Sequence, residues 1–224
     1  MIGKGKSISH GVAALEYDLA KEIDGQAAAT EIARHELYGC TGAEMVQEMK
    51  PYFTDFPNVK NNCLRFEVSP SIEESSSFTD ADWAELGNDF MQRMGLVNHQ
   101  YIIIKHSRTE SKKEQAHLHI LANRISLSGE LYRDNWIGKR ATEAANAIAK
   151  ERNFVQSQDI GKANKEEIKE AMNSVLKKMQ GFDLTKFQEE LGKLGFKIRE
   201  ARASTGKLNG YYVTARSGTE YKAS

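Results

Sequence analysis

Residues 100–125 read QYIIIKHSRTESKKEQAHLHILANRI, and this stretch decides the fold. Tyr101-Ile-Ile-Ile104 is a β-branched and aromatic run of the kind that packs well on a pleated surface. Residues 116–125 form a second apolar run, and the loop 106–115 between the two is polar and charged. Two apolar strands joined by such a loop predict an antiparallel hairpin. Alternate side chains of a strand share a face, so His117 and His119 point the same way. Asn123 falls on their side and Arg124 on the opposite one. His106 closes the first strand, and the hairpin turns its ring toward the same point. The pattern therefore predicts three imidazoles converging on one spot.

Imidazole is a common ligand for Mn, Zn, Cu, Ni and Fe ions. Three protein ligands leave positions open for a substrate oxygen, as catalytic rather than structural sites do. A metal so held can polarise a phosphodiester. A His-x-His pair alone does not select this chemistry, because cupin-like and amidohydrolase proteins use it too.

Outward from the hairpin, residues 9–22 predict a first helix, with Val12, Leu15, Leu19 and Ile23 at helical spacing. A helical pair is expected at 30–38 and 42–50, broken at Pro51. Residues 62–68 read as a strand and 70–77 as a loop. Thr79-Asp80-Ala81-Asp82 begins an amphipathic helix running to Met94. Helices are expected at 139–152, 164–180 and 183–194, and strands at 196–202, 211–215 and 220–223. Gly206, Asn209 and Gly210 supply turns among them. The class is α+β: a mostly antiparallel central sheet with helices packed on its faces and a helical C-terminal portion. The expected organisation is one domain over 1–224, with a core at 1–152, a helical segment at 153–195 and C-terminal strands at 196–224.

Composition bounds the function less tightly. The 224 residues carry 31 Lys and Arg against 31 Asp and Glu, for a formal net charge of zero, so bulk charge does not point to nucleic acid. The distribution does more: residues 197–222 hold six basic side chains (Lys197, Arg199, Arg202, Lys207, Arg216, Lys222) against Glu200 and Glu220. A neutral protein can still present a basic groove. Cys40 and Cys63 lie far apart without metal-ligand spacing, which predicts reduced thiols. No apolar run approaches the roughly 20 residues that cross a bilayer. The N-terminus is basic but lacks the apolar stretch of a secretion signal. The expectation is a cytoplasmic protein with no membrane insertion.

The run from His106 through His117-Leu-His119 to Asn123-Arg124-Ile125 resembles the metal motif of mobilization relaxases in the HUH endonuclease superfamily. There a strand ending in His is followed by a loop and by His-hydrophobic-His on an apolar strand. The loop here is longer than the usual form, so Glu114 or Gln115 stands as the alternative to His106 as third ligand. Residues 4–11 followed by Glu16-Tyr17-Asp18-Leu19-Ala20-Lys21-Glu22 look like the family's opening segment, in which a short strand leads into a helix bearing the catalytic tyrosine. Residues 209–224 also resemble the end of such nuclease domains.

The resemblance implies a DNA relaxase whose central sheet is palm-like. Tyr17 would attack the scissile phosphate of single-stranded origin-of-transfer DNA, form a 5′-phosphotyrosyl intermediate and rejoin the strand by the reverse step. Tyr38 is the runner-up nucleophile. His106, His117 and His119 would hold a divalent ion, Mg or Mn by the resemblance, while all-nitrogen ligation suits Mn, Ni or Zn better. Glu67, on the strand 62–68, is expected to orient a ligand histidine or to accept a proton from Tyr17. Lys4, Lys6, Asn123, Arg124, Arg199, Arg202 and Lys207 are the candidate DNA contacts. Accessory mobilization or coupling proteins are the implied partners, and further domains are expected after Ser224. The competing readings are a rolling-circle replication initiator of the same chemistry, a non-catalytic single-stranded DNA-binding module, and a metal-dependent hydrolase unrelated to DNA.

Overall fold

The computed structural model describes every residue except 24, 108–114, 217 and 224, and for residues 23 and 223 it describes the backbone alone. The chain divides into two compact units, Met1–Ser157 and Gln158–Ser224.

The first unit is built on β1 (Ile2–Ile8), α1 (Gly11–Leu19), the short strands β2 (Glu22–Ile23) and β3 (Gln26–Ala27), β4 (Ala29–His35), α2 (Gly42–Phe53), β5 (Cys63–Ser69), the one-turn α3 (Ile72–Ser75), α4 (Asp80–Met94), β6 (His99–His106), β7 (His117–Ser126) and α5 (Ile137–Glu151). Five strands form one sheet in the order β1-β5-β7-β6-β4, antiparallel at each pairing. β6 and β7 are the expected hairpin, next to the middle of the sheet. Their side chains are almost all buried because helices cover both faces. On one face, Leu64, Phe66, Ile103, Leu118 and Ile120 pack against Trp83, Leu86 and Phe90 of α4 and Ala141, Ala145 and Ile148 of α5. On the other, Cys63, Ile102, Ile104 and Leu121 meet Leu15 of α1 and Met45 and Met49 of α2. Burying two faces needs helices on both, which is the α+β arrangement expected from the pattern.

Several elements differ from expectation for identifiable reasons. Residues 29–35 form an edge strand paired to β6 rather than a helix. Glu31, Ala33 and Arg34 favour helix in isolation, but a ladder along β6 outweighs a weak propensity. Residues 2–8 form β1 because Gly3 and Gly5 let α5 lie directly on the sheet: a Cβ at Gly3 would collide with Ala141 O and Ala145 Cβ, and one at Gly5 would come within 2.8 Å of the Phe66 ring. α2 opens on a Thr41–Glu44 capping box and continues past Pro51 to Phe53. α1 is shorter than expected. It buries Gly11, Ala14, Leu15 and Asp18 and leaves Val12 exposed.

The second unit comprises α6 (Ser157–Lys178, starting one residue before it), α7 (Leu184–Lys193) and a three-stranded antiparallel sheet of β8 (Lys197–Arg202), β9 (Leu208–Thr214) and β10 (Glu220–Ala223). Its core is Ile168, Val175, Phe187, Leu191, Phe196 and Val213. Asn209 and Gly210 lie within β9 rather than in a turn. Both cysteines are free, Cys40 exposed and Cys63 buried. Among the described residues no helix is long and apolar enough to cross a membrane.

Candidate metal centre and DNA-binding groove

The β6–β7 register sets His106 directly opposite His117, and the β5–β7 register sets Glu67 directly opposite His119. His117 and His119 share a face by alternation, and the pairing brings His106 to the same side. The three ring centroids lie 4.4 to 5.3 Å apart. One ligand nitrogen from each ring lies within 4.8 Å of the others. Of the alternatives for the third ligand, Gln115 spends its amide on Ser69 Oγ and the Pro70 carbonyl, and Glu114 lies outside the described residues.

Hydrogen bonding constrains the tautomers. His117 Nδ1 approaches the Gln115 carbonyl at 3.3 Å, and a carbonyl only accepts, so His117 carries its proton on Nδ1 and a lone pair on Nε2. That lone pair faces His119 Nε2 at 3.0 Å. Two such nitrogens tolerate this approach only with a proton or a cation between them. His106 donates from Nε2 to the Asp18 carbonyl at 2.8 Å, leaving its Nδ1 as acceptor. Burial, first of all, depresses the affinity of all three rings for a second proton, and pushes His119 down to about 2 with help from the neighbouring imidazoles and Arg65. Arg65 donates to His119 Nδ1 at 3.4 Å, which puts the His119 proton on Nε2, between the two rings. With that proton displaced, three neutral imidazoles fit a divalent transition-metal ion by donor chemistry.

The last turn of α1 closes over this cluster. Asp18 sits on the buried stripe Gly11, Ala14, Leu15, Asp18. Its carboxylate takes the Arg65 guanidinium, and its Oδ1 lies 3.7 Å from His119 Nδ1. With His119 neutral, that approach is a polar contact and not an ion pair. Desolvation raises the Asp18 carboxyl above the ordinary range and Arg65 opposes the shift. Asp18 and Arg65 were not among the expected site residues. The available signal was an acid at the i+3 position from Leu15 on an otherwise apolar helix stripe, and an arginine two residues before Glu67 on the same strand face.

Tyr17 precedes Asp18 in the same turn and is 56% exposed. Its phenol oxygen accepts a hydrogen bond from Lys21 Nζ at 2.9 Å, and the ammonium lies 5.0 Å from the ring centroid. Tyr38 is also exposed, but it follows β4 and donates its hydroxyl to Glu36.

Beside His119 runs a groove of about 230 Å³ lined by Lys4, Lys6, Arg65, Glu67 and His119. Lys4 pairs with Glu67 at 2.9 Å across β1 and β5. The structure thus brings together Lys4, Lys6, Glu67 and the three histidines. Two further candidates of this unit are engaged elsewhere. Asn123 is fully buried, donating to Gln100 Oε1 and accepting from the Ile125 N–H, so it has no surface to offer DNA. Arg124 is spent inside the protein on Asp134, the Tyr132 carbonyl and the Asn61 carbonyl. Arg199, Arg202 and Lys207 belong to the second unit. Arg199 forks onto Glu220, Arg202 pairs with Glu200, and Lys207 is exposed.

A family model described as "Relaxase: MobA/VirD2-like, nuclease domain" matches residues 17–154. No curated protein matches the chain. Among solved structures, conjugative relaxase TrwC in complex with oriT DNA, in a metal-bound form, is 12% identical over 92% of this chain and 74% of that one, with a TM-score of 0.40. A copper-bound form of the same complex is 12% identical over 92% and 75%, with a TM-score of 0.36.

Proposed function

The chain belongs to the MobA/VirD2-like relaxase family through its nuclease domain, and we propose that it nicks single-stranded DNA at an origin of transfer with Tyr17 as nucleophile and rejoins the strand by the reverse step. The observation that carries this reading is the last turn of α1, which seals the three-histidine cluster through Asp18 while holding Tyr17 exposed one residue away.

In this reading the Tyr17 oxygen forms a bond to the scissile phosphorus. The 3′-oxygen leaves with the electron pair of the broken bond and takes up a proton, and Tyr17 retains the 5′-phosphate. The phosphodiester's energy is conserved in the new bond, so a 3′-hydroxyl can reverse the step. Lys21 holds the phenol oxygen in place by its hydrogen bond. Glu67 and Asp18 are the carboxylates on either side of His119, and Glu67, 35% exposed against 2% for Asp18, is the one that solvent and substrate reach. We therefore assign Glu67 as proton acceptor for Tyr17. Lys4, Lys6 and Arg65 supply positive charge for phosphates along the groove, which sets affinity without sequence preference. A divalent ion held by His106, His117 and His119, with Mn favoured over Mg by the all-nitrogen donor set, would polarise the scissile phosphate and neutralise charge on its oxygens. The partners we assign are the origin-of-transfer strand and accessory or coupling proteins of mobilization.

The test is strand cleavage. End-labelled single strands from DNA flanking the chain's own gene are incubated with the protein and Mn, and the products are resolved on a sequencing gel. One discrete cut, lost in His119→Ala, supports the reading. Cleavage that is absent on every strand in Mn, Mg and Zn overturns it.

A further inference from the structure

In the second unit the sheet β10-β9-β8 buries one face and leaves the other without a covering element of its own. Ile198, Val213 and Tyr221 point inward to the helices. The pairings Lys197↔Thr214, Arg199↔Tyr212, Glu220↔Thr214 and Lys222↔Tyr212 put Lys197, Arg199, Tyr212, Thr214, Glu220 and Lys222 together on the opposite face. Lys197, Arg199, Glu220 and Lys222 are exposed, and Tyr212 is half-buried at the centre. Arg199 places its guanidinium 4.0 Å from the centroid of the Tyr212 ring while forking onto both oxygens of Glu220 at 2.8 Å. The guanidinium thereby covers one face of the ring and fixes its orientation. Among the described residues Lys197 and Lys222 form no ion pair, so two lysines flank it with their charges free. The basic excess of residues 197–222 continues at the β8–β9 turn, where Lys207 is exposed.

We propose that this face is a second nucleic-acid site, which binds single-stranded DNA by stacking a base on the Arg199–Tyr212 pair and taking adjacent phosphates on Lys197 and Lys222. A rigid aromatic on an open sheet face with free cations at base–phosphate reach is the chemistry that holds unpaired strands without reading their sequence. Duplex DNA keeps its bases stacked inside and offers the ring nothing to stack on. Among the described residues the acidic groups of this face reduce to Glu220, which Arg199 neutralises, so an acidic polymer meets little repulsion there. The proposal goes beyond nicking and does not require it: the site grips a strand whether or not Tyr17 cuts one.

The test uses the full chain and the anisotropy of a fluorescein-labelled oligothymidine, titrated over a range of salt concentrations without added metal. Tyr212→Ala is expected to weaken binding by about fivefold or more, and Tyr212→Phe to retain it. Lys197→Ala combined with Lys222→Ala is expected to flatten the salt dependence by about 1.4 in logarithmic slope, from two contacts at about 0.7 each. Lys193→Ala, on α7 and paired with Glu190, serves as the control and is expected to change nothing. Unchanged affinity and slope in the sheet variants overturn the proposal, as does an equal loss on a duplex of the same length. Tyr17→Phe separates the two readings. If no strand is ever cut and the sheet variants still lose affinity, the nicking reading fails and this one stands.

Discussion

The backbone carbonyl of Asp18 accepts a hydrogen bond from His106 Nε2 at 2.8 Å, while the carboxylate of the same residue holds Arg65. One residue thus ties the last turn of α1 to two strands of the sheet, at the place where Tyr17 is displayed. Replacing Asp18 with Ala leaves the Arg65 charge largely buried and unpaired, since its side chain is 19% exposed. Breaking such a pair costs about 3 kcal/mol. Urea denaturation of Asp18→Ala is expected to show that loss, and Asp18→Asn a smaller one. A midpoint equal to the parent's would contradict the assigned role.

Metal binding is expected to follow the three histidines. Losing an outer partner of a ligand commonly costs 10–100-fold in affinity, so losing a ligand costs about a hundredfold or more. Calorimetric titration of Mn into His119→Ala should show that drop. In the parent, Mn at about a hundred times its dissociation constant should stabilise the fold by about 2.7 kcal/mol, with no such gain in the variant. Equal affinities in the two proteins would dismiss the cluster as a metal site.

Asn123 belongs to the core. Asn123→Ala strands the Gln100 amide oxygen and the Ile125 N–H in a buried place. The expected cost is about 1–3 kcal/mol by urea denaturation. Anisotropy with the folded variant should give unchanged DNA affinity. A large affinity loss at unchanged stability would reverse this assignment.

His99 is 5% exposed and bonds the Asn123 carbonyl through Nδ1, and burial lowers its proton affinity below the ordinary imidazole value. The unfolded chain takes up this proton near about pH 6.5, and the folded chain resists it. The unfolded state therefore binds more protons in acid. The stability tied to His99 is complete above about pH 6.5 and is lost as pH falls toward the depressed folded value. The slope from this residue is at most about 1.4 kcal/mol per pH unit. Comparing urea midpoints of parent and His99→Gln at about pH 7.5 and pH 5.5 checks it, the parent being expected to lose more on acidification. Parallel losses would show that His99 does not carry this linkage.

The hairpin and its histidines were legible because alternation and apolar runs are local signals: Tyr101 to Ile104 and His117 to Ile120 announce their strands without outside help. The edges of the sheet were not. β1 carries Gly3 and Gly5, poor strand formers whose reason for being there is the backbone of α5, far away in sequence. β4 reads as helix by residue type and becomes a strand only because β6 offers it a ladder. In the site, exposed cations such as Lys4 and Lys6 could be nominated from sequence. Asp18 and Arg65 left only a weak signal, their helix stripe and strand face, because their roles depend on which side chains they meet when α1 lies across the sheet. Asn123 was misjudged because alternation gives the face of a residue and not the depth at which the helices bury it.

The central claim is that Tyr17 is the nucleophile. The most direct measurement is covalent capture: a labelled single strand containing the nick site is incubated with the protein and Mn, run on a denaturing gel, and the retained peptide is identified by mass spectrometry. The expected result is a labelled protein band whose nucleotide is attached to Tyr17 and which vanishes in Tyr17→Phe. A band that persists in Tyr17→Phe, with the nucleotide on Tyr38 or any other residue, would contradict it.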